Sequence, residues 1–262
     1  MYQQLYNCIS NACCAITVID EGEVVSEGTG FTIDADGQIL TAAHVALGQW
    51  PVDVKKYLNR NTKIIAKLPG IAEYECTLAV CGLEIRVPAF NTPIFIDFAA
   101  LTPSTALPNP VPFLNSRVMS PGLGEEVFLA GYSEELEIPF RVDKLLRRDA
   151  PGAAEFHSAM ARGYLADMTG PLIKRGVVGN TRGIYAQNSA SGKMISCEIF
   201  FVDNGMNPGA SGGPVVNANG EAIGIMTKRA ITSASQGAAP SLEVPSGSTI
   251  AISLHPLLAG QT

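Results

Sequence analysis

Apolar and polar residues alternate along this chain in short runs that mostly end at turn residues, a period-two pattern that predicts strands rather than helices. In the first half the runs fall at 14–19, 23–33, 38–41, 63–67, 75–81 and 94–98. The stretch 101–121 carries prolines at 103, 108, 110, 112 and 121, too many for a regular element and suited to a connection between two halves. A second set of runs follows at 126–132, 177–186, 196–202, 214–216, 221–227 and 248–253. Between 134 and 174 the period changes. Phe156, Met160, Tyr164, Leu165 and Met168 recur at helical spacing there, interrupted by Gly152 and Gly163, so an inserted, partly helical loop is expected. The pattern as a whole predicts an all-β fold with an N-terminal half at 1–115 and a C-terminal half at 116–262.

Composition agrees with that reading. Of 262 residues 47% are hydrophobic and only 16% charged, with 26 Gly and 17 Pro, which suits many short strands joined by turns. The net charge is −6 and Lys and Arg are scattered, so neither nucleic acid nor an anionic membrane surface is an expected partner. No stretch approaches the run of about 18 apolar residues that a membrane span requires. The start, MYQQLYNCISNACCAITVIDEGE, lacks a basic region and a long apolar core, so no secretory signal is read and a cytoplasmic location is expected.

The six cysteines, Cys8, Cys13, Cys14, Cys76, Cys81 and Cys197, form no CxxC pair, and His44, His157 and His255 are the only histidines. No structural metal and no cofactor are expected. Cys76 and Cys81 could bridge across a turn, but small buried thiols are the commoner fate of such residues, and reduced cysteines are the expectation.

Candidate chemistry is concentrated in two segments. The first, TGFTIDADGQILTAAHV from Thr29 to Val45, reads as a hairpin turning at Asp36-Gly37, with His44 just beyond the second strand. There an imidazole can face a cleft while its backbone stays anchored. A lone histidine is more often a satisfied or surface group. The second segment, NPGASGGPVVNANGEAIGI from Asn207 to Ile225, changes the balance. Glycines on both sides of Ser211 let the backbone turn sharply, expose Oγ and aim several N–H groups at one point, as acyl transfer requires. Pro214, Val215 and Val216 then start a strand, whereas the nucleophile elbow of α/β-hydrolases opens a helix and needs its histidine after the serine.

The two segments resemble the histidine and serine boxes of chymotrypsin-fold serine proteases, most nearly the HtrA/Deg branch. The resemblance spans roughly 14–255, loosely at 48–70 and 134–174. It implies two six-stranded antiparallel β-barrels with the catalytic residues at their junction. It also implies a serine endopeptidase using the order His, Asp, Ser. Of the aspartates available, Asp53, Asp97, Asp143, Asp149, Asp167 and Asp203, the expected third member is Asp97, at an apolar strand end where an unpaired charge would be costly. The expected roles are Ser211 as nucleophile, His44 as base and Asp97 as its orienting partner, with an oxyanion hole at Gly209, Ala210 and Ser211.

By the same resemblance Gly205 and Met206 lie at the base of the primary pocket, Met226 forms a wall, and Thr227 and Lys228 pair with substrate backbone. With no carboxylate at Gly205, an apolar or small P1 side chain is expected. Ala210 stands where the pancreatic-type branch has an aspartate that pairs with a newly cut N-terminus, so no such activation is expected. The expected partners are a protein or peptide substrate, with a homo-oligomer or a regulatory partner acting through 134–174 as further candidates. The alternatives are a non-catalytic peptide-binding or chaperone-like domain of the same fold, and an esterase using the same triad.

Overall fold

A computed structural model describes residues 2–48, 62–85, 94–133, 136, 165–187, 194–234 and 242–254. The first half folds into strands β1 (Cys13–Asp20), β2 (Glu23–Thr32), β3 (Ile39–Thr41), β4 (Thr62–Lys67), β5 (Tyr74–Ile85) and β6 (Ile94–Pro103). They close a barrel in the order β1-β2-β3-β6-β5-β4, with β1 antiparallel to both β2 and β4. The second half supplies β7 (Glu126–Gly131), β8 (Leu172–Gln187), β9 (Met194–Val202), β10 (Pro214–Asn217), β11 (Ala222–Ala234) and β12 (Leu242–Ser253). These close a second barrel in the order β10-β11-β12-β9-β8-β7, again antiparallel. Closure pairs the strands of each barrel on both sides along their shared middle portions.

Each expected strand is present. Several run further than their apolar patterns: β5, β8, β11 and the N-terminal side of β12 extend past the alternating residues, because partner strands supply hydrogen bonds where side chains alone give no signal. The loop expected at 134–174 lies mostly outside the described residues, which include near its end the short helix α3 (Leu165–Met168).

Three apolar clusters account for the packing. Barrel 1 encloses Cys14, Ile16, Val18, Ile39, Ile64 and Leu101; barrel 2 encloses Leu129, Phe200, Val202, Val215, Ile223 and Met226. A third cluster joins Phe31, Leu40, Ile96 and Phe98 of the first barrel to Phe128, Ala130, Val216, Ile225 and Ile252 of the second. The interface between barrels is therefore a core in its own right. A helix that the apolar pattern did not announce, α1 (Gln3–Ala12), seals one end of it. Ile9 and Ala12 are buried there, and Tyr2 and Tyr6 pack on Phe128 with ring centroids 5.1 and 5.7 Å away. Spacings of four and three from Leu5 to Ile9 to Ala12 are the signal that was available for it.

All six cysteines are free thiols. Cys76 and Cys81 lie five residues apart on one extended strand, β5, which at about 3.3 Å per residue holds them too far apart to bridge. Among the described residues no helix is long and apolar enough to cross a membrane.

Candidate active site

The histidine is set by a strand end and a single turn of helix. Thr41 ends β3, Ala42 stays extended, and α2 (Ala43–Leu47) begins at once. Ala43, Val45, Ala46 and Leu47 are all buried, which leaves the His44 side chain, 26% exposed, as the one that faces outward. Asp97 lies on β6 and is 5% exposed. Its Oδ1 accepts the His44 main-chain N–H at 3.0 Å, and its Oδ2 lies 2.7 Å from the His44 Nδ1. A carboxylate can only accept, so the shared proton belongs to Nδ1 and the lone pair of the neutral ring to Nε2. One side chain thus fixes both the position of the histidine backbone and the tautomer of its ring.

The other candidate aspartates are committed elsewhere or fall outside the described residues. Asp167 is paired with Lys67 at 2.7 Å, and Asp203 accepts the Val177 N–H at 2.6 Å. Asp53, Asp143 and Asp149, like His157 and His255, are not among the described residues.

Ser211 sits in a loop between β9 and β10 that is wedged between the barrels. Its own carbonyl accepts the N–H of Thr29 on β2 at 2.9 Å. The Gly212 N–H donates to Met226 O at 2.7 Å, and the Met226 N–H returns to Gly213 O at 2.9 Å, so the loop is stitched to β11. Both glycines are required by space. A Cβ at Gly212, whose φ is +86°, would overlap Thr29 O and Thr41 Oγ1, and one at Gly213 would overlap Ala130 O. Ala210 packs so closely on Gly131 that a Cβ there would stand 2.8 Å from its Cα.

The backbone donors of this loop divide into two groups. Ala210 N–H donates to Asn207 O at 3.3 Å, and Gly213 N–H to Ala210 O at 3.0 Å, closing tight turns around the serine. Among the described residues the N–H groups of Gly209 and Ser211 have no such partner. Gly209 has φ +89°, a left-handed geometry that glycine adopts at no steric cost.

The Ser211 hydroxyl donates to Thr227 O at 3.2 Å. Thr227 is available for this because the β11–β12 pairing passes from Met226↔Ala251 to Lys228↔Ile250, leaving Thr227 as the extra residue of a bulge. The side chain of Thr227 is buried and donates to Ile250 O at 3.4 Å, whereas Lys228 is exposed.

The residues expected to line a primary pocket lie beside this loop. Gly205 packs on Gly247, where a Cβ would meet the Gly247 carbonyl group at 3.2 Å, and its own carbonyl accepts from Lys174 Nζ at 2.9 Å. Met206 donates its N–H to Thr249 Oγ1 at 3.0 Å. Met206 and Met226 are each 2% exposed and belong to the barrel 2 core, and Met226 Cε stands 2.7 Å from where a Gly213 Cβ would be. Two thioethers thus fill the space beside the loop.

Cys81, near Asp97, has its thiol pushed up to about 11 by burial, with the carboxylate charge adding to the effect. Such a thiol stays protonated and is a poor competing nucleophile. Among the described residues no group of three His, Cys, Asp or Glu side chains could hold a metal ion.

Thr29 and Gly131 were not singled out from the sequence. Their importance comes from contacts across the barrel junction, to which a linear pattern gives no clue.

Comparisons with known proteins come from both sequence and structure. Residues 28–225 match the family described as "Trypsin-like peptidase domain". No curated protein sequence matches the chain. Among solved structures the chain is similar to the serine endoprotease from Yersinia pestis, with a TM-score of 0.55 and 18% identity over the whole of this chain and 64% of that one. It is also similar to the Rv3671c protease in its inactive form, with a TM-score of 0.53 and 16% identity over 98% of this chain and 90% of that one. At these identities the structural likeness establishes the fold alone.

Proposed function

The chain belongs to the trypsin-like peptidase family, and from that premise we propose that it is a serine endopeptidase working through Ser211, His44 and Asp97. The observation that carries the reading is the grip of Asp97 on His44: a carboxylate 5% exposed, bound at once to ring Nδ1 and to the main chain. A buried charge spent in this way supports a role for Nε2 as the base. The chain just before His44 lies against the Ser211 loop, Ala42 N standing 2.9 Å from where a Gly212 Cβ would be.

In this mechanism the Ser211 hydroxyl turns from Thr227 O toward the imidazole and attacks the scissile carbonyl. His44 takes the proton and passes it to the leaving amine. Asp97 holds the ring in its tautomer and stabilises the imidazolium. Water then repeats the sequence on the acyl-enzyme. The N–H groups of Gly209 and Ser211, unpaired among the described residues and with Ala210 between them, support their assignment as the oxyanion hole. In such a hole one donor is worth about 2.7–4 kcal/mol in the transition state.

For specificity we propose an apolar or small P1 residue. Met206 and Met226 narrow the space beside the loop, and Gly205 offers no carboxylate to a basic side chain. Thr227 and Lys228 would pair with substrate backbone in the manner of an added strand.

The test is Ser211→Ala. The folded variant is expected to lose labelling by a fluorophosphonate probe and to lose about 10⁶-fold in peptide hydrolysis. Casein cleavage by the purified variant at the wild-type rate would rule out the assignment. A peptide library that returned Lys or Arg at P1 would overturn the pocket reading alone.

A further inference from the structure

Thr29 is the residue through which barrel 1 holds the nucleophile loop. It lies within β2, fully buried, and four hydrogen bonds converge on its polar groups. Its N–H donates to Ser211 O at 2.9 Å. Its hydroxyl donates to Gly209 O at 2.8 Å and accepts the Tyr132 N–H at 2.9 Å, which uses the single hydroxyl proton in one direction. Its carbonyl accepts from the Thr41 hydroxyl at 2.6 Å, so the anchor is itself held by the strand that leads to His44.

The point of attachment decides what this can do. Gly209 O belongs to the Gly209–Ala210 peptide, which lies between the two peptides carrying the proposed oxyanion donors. That plane is held at both ends, by Thr29 on its carbonyl and by Asn207 O on the Ala210 N–H. A peptide unit is rigid, so fixing its carbonyl fixes the torsion on the carbonyl side of Gly209. Glycine would otherwise rotate freely there. One of the two rotations that could swing the Gly209 N–H out of the hole is thereby removed. A β-branched residue suits the task, because its side chain has few rotamers within a strand.

We propose that Thr29 is a positioning residue for the oxyanion hole, acting through its hydroxyl on the Gly209 carbonyl. The proposal rests on the endopeptidase reading above. It implies that the geometry of the hole is set from the barrel that does not carry the nucleophile.

The test compares Thr29→Val and Thr29→Ser with the wild-type chain in phosphonylation by a fluorophosphonate, resolving the limiting rate kinact from the half-saturating concentration KI. Thr29→Val keeps the shape and removes the hydroxyl. It is expected to lower kinact about 10- to 100-fold, up to the loss seen when one hole donor is deleted, with KI changed by less than about threefold. Thr29→Ser restores the hydroxyl and is expected to recover most of the rate. A merely structural role would lower the folded fraction and leave kinact of the folded protein as it was. Should Thr29→Val fail to fold, Thr29→Ala, which also cannot donate and adds no bulk, gives the same comparison. A wild-type kinact in a folded Thr29→Val or Thr29→Ala protein overturns this inference alone. Absence of any Ser211-dependent labelling in the wild-type chain overturns the endopeptidase reading and this inference together.

Discussion

The two barrels hold their contributions to the site by different physics. Barrel 1 fixes His44 with charge and hydrogen bonds: Asp97 reaches from β6 to grip the ring and the main chain together. The Ser211 loop is hydrogen-bonded to β11 of barrel 2 and is fixed above all by exclusion of space. Gly213 and Gly131 let its backbone approach barrel 2, and Gly212 lets it approach Thr29 and Thr41 of barrel 1, so closely that no side chain could intervene. The first arrangement can be weakened in steps, one hydrogen bond at a time. The second tolerates almost no change, because an added methyl group has nowhere to go. A substitution in barrel 1 should therefore separate activity from folding, and one at the close-packed glycines Gly212 and Gly213 should damage both.

Within that contrast Asp97→Asn gives the largest expected effect, and it tests the first half. The amide oxygen of the introduced asparagine can still accept the His44 N–H, so the fold is expected to survive. Its NH2 group would donate to Nδ1, leaving the ring proton on Nε2, where the base is needed. The expected loss in kcat is about 10⁴-fold with an unfolding midpoint near that of the wild-type chain. Retention of a tenth or more of the wild-type kcat would break the assignment of Asp97.

Gly213→Ala tests the second half. The new Cβ would overlap Ala130 O and crowd Met226 Cε, which stands 2.7 Å away. Ala130 O is strand backbone and cannot yield cheaply, whereas the Met226 methyl, at the end of a flexible side chain, can give some way. A loss of about 3 kcal/mol or more is expected in urea unfolding, together with loss of fluorophosphonate labelling. A Gly213→Ala protein as stable as the wild-type chain would show that the loop is less tightly wedged than its contacts indicate.

The same contrast explains what could be read from the sequence. The strands were legible because alternation of apolar residues is a local signal that survives into the fold, whereas their closure into two barrels was implied only by the resemblance of the histidine and serine segments to a known family. Ser211 and His44 were legible because their motifs carry the turns and glycines that their geometry demands. Thr29 was not, although it lies within the histidine segment: its role exists only where β2 meets the loop around Gly209, 180 positions away. The helix α1 was missed for a related reason. Its apolar face is narrow, and what stabilises it is Phe128 on the second barrel. Contacts between distant segments leave no period in the sequence.

The smallest expected effect concerns a contact that crosses between the halves. Lys67 on β4 is 6% exposed, and its Nζ donates to Leu68 O at 3.2 Å, to Ile71 O at 2.5 Å and to Asp167 Oδ1 at 2.7 Å. Asp167 belongs to α3, which leads into β8, and the same oxygen accepts the Gly70 N–H at 2.8 Å. Burial would raise its pKa, but the Lys67 and Gly70 hydrogen bonds and the Lys67 charge outweigh that and hold it below the usual 3.8. A depressed folded-state pKa means that the unfolded chain binds more protons. The stabilisation is then complete above the ordinary value and lost as pH falls through the folded one. Because the Asp167 side chain is 35% exposed, the discounted loss in Asp167→Asn is about 1–2 kcal/mol near neutral pH. That gap from the wild-type chain should begin to close as urea unfolding is repeated below pH 3.8, where the unfolded wild-type chain takes up the proton before the folded one does. A gap that stayed constant from about pH 7 into acid would mean that Asp167 acts by shape and not by charge, and this tie between the halves would then belong with the steric contacts of barrel 2.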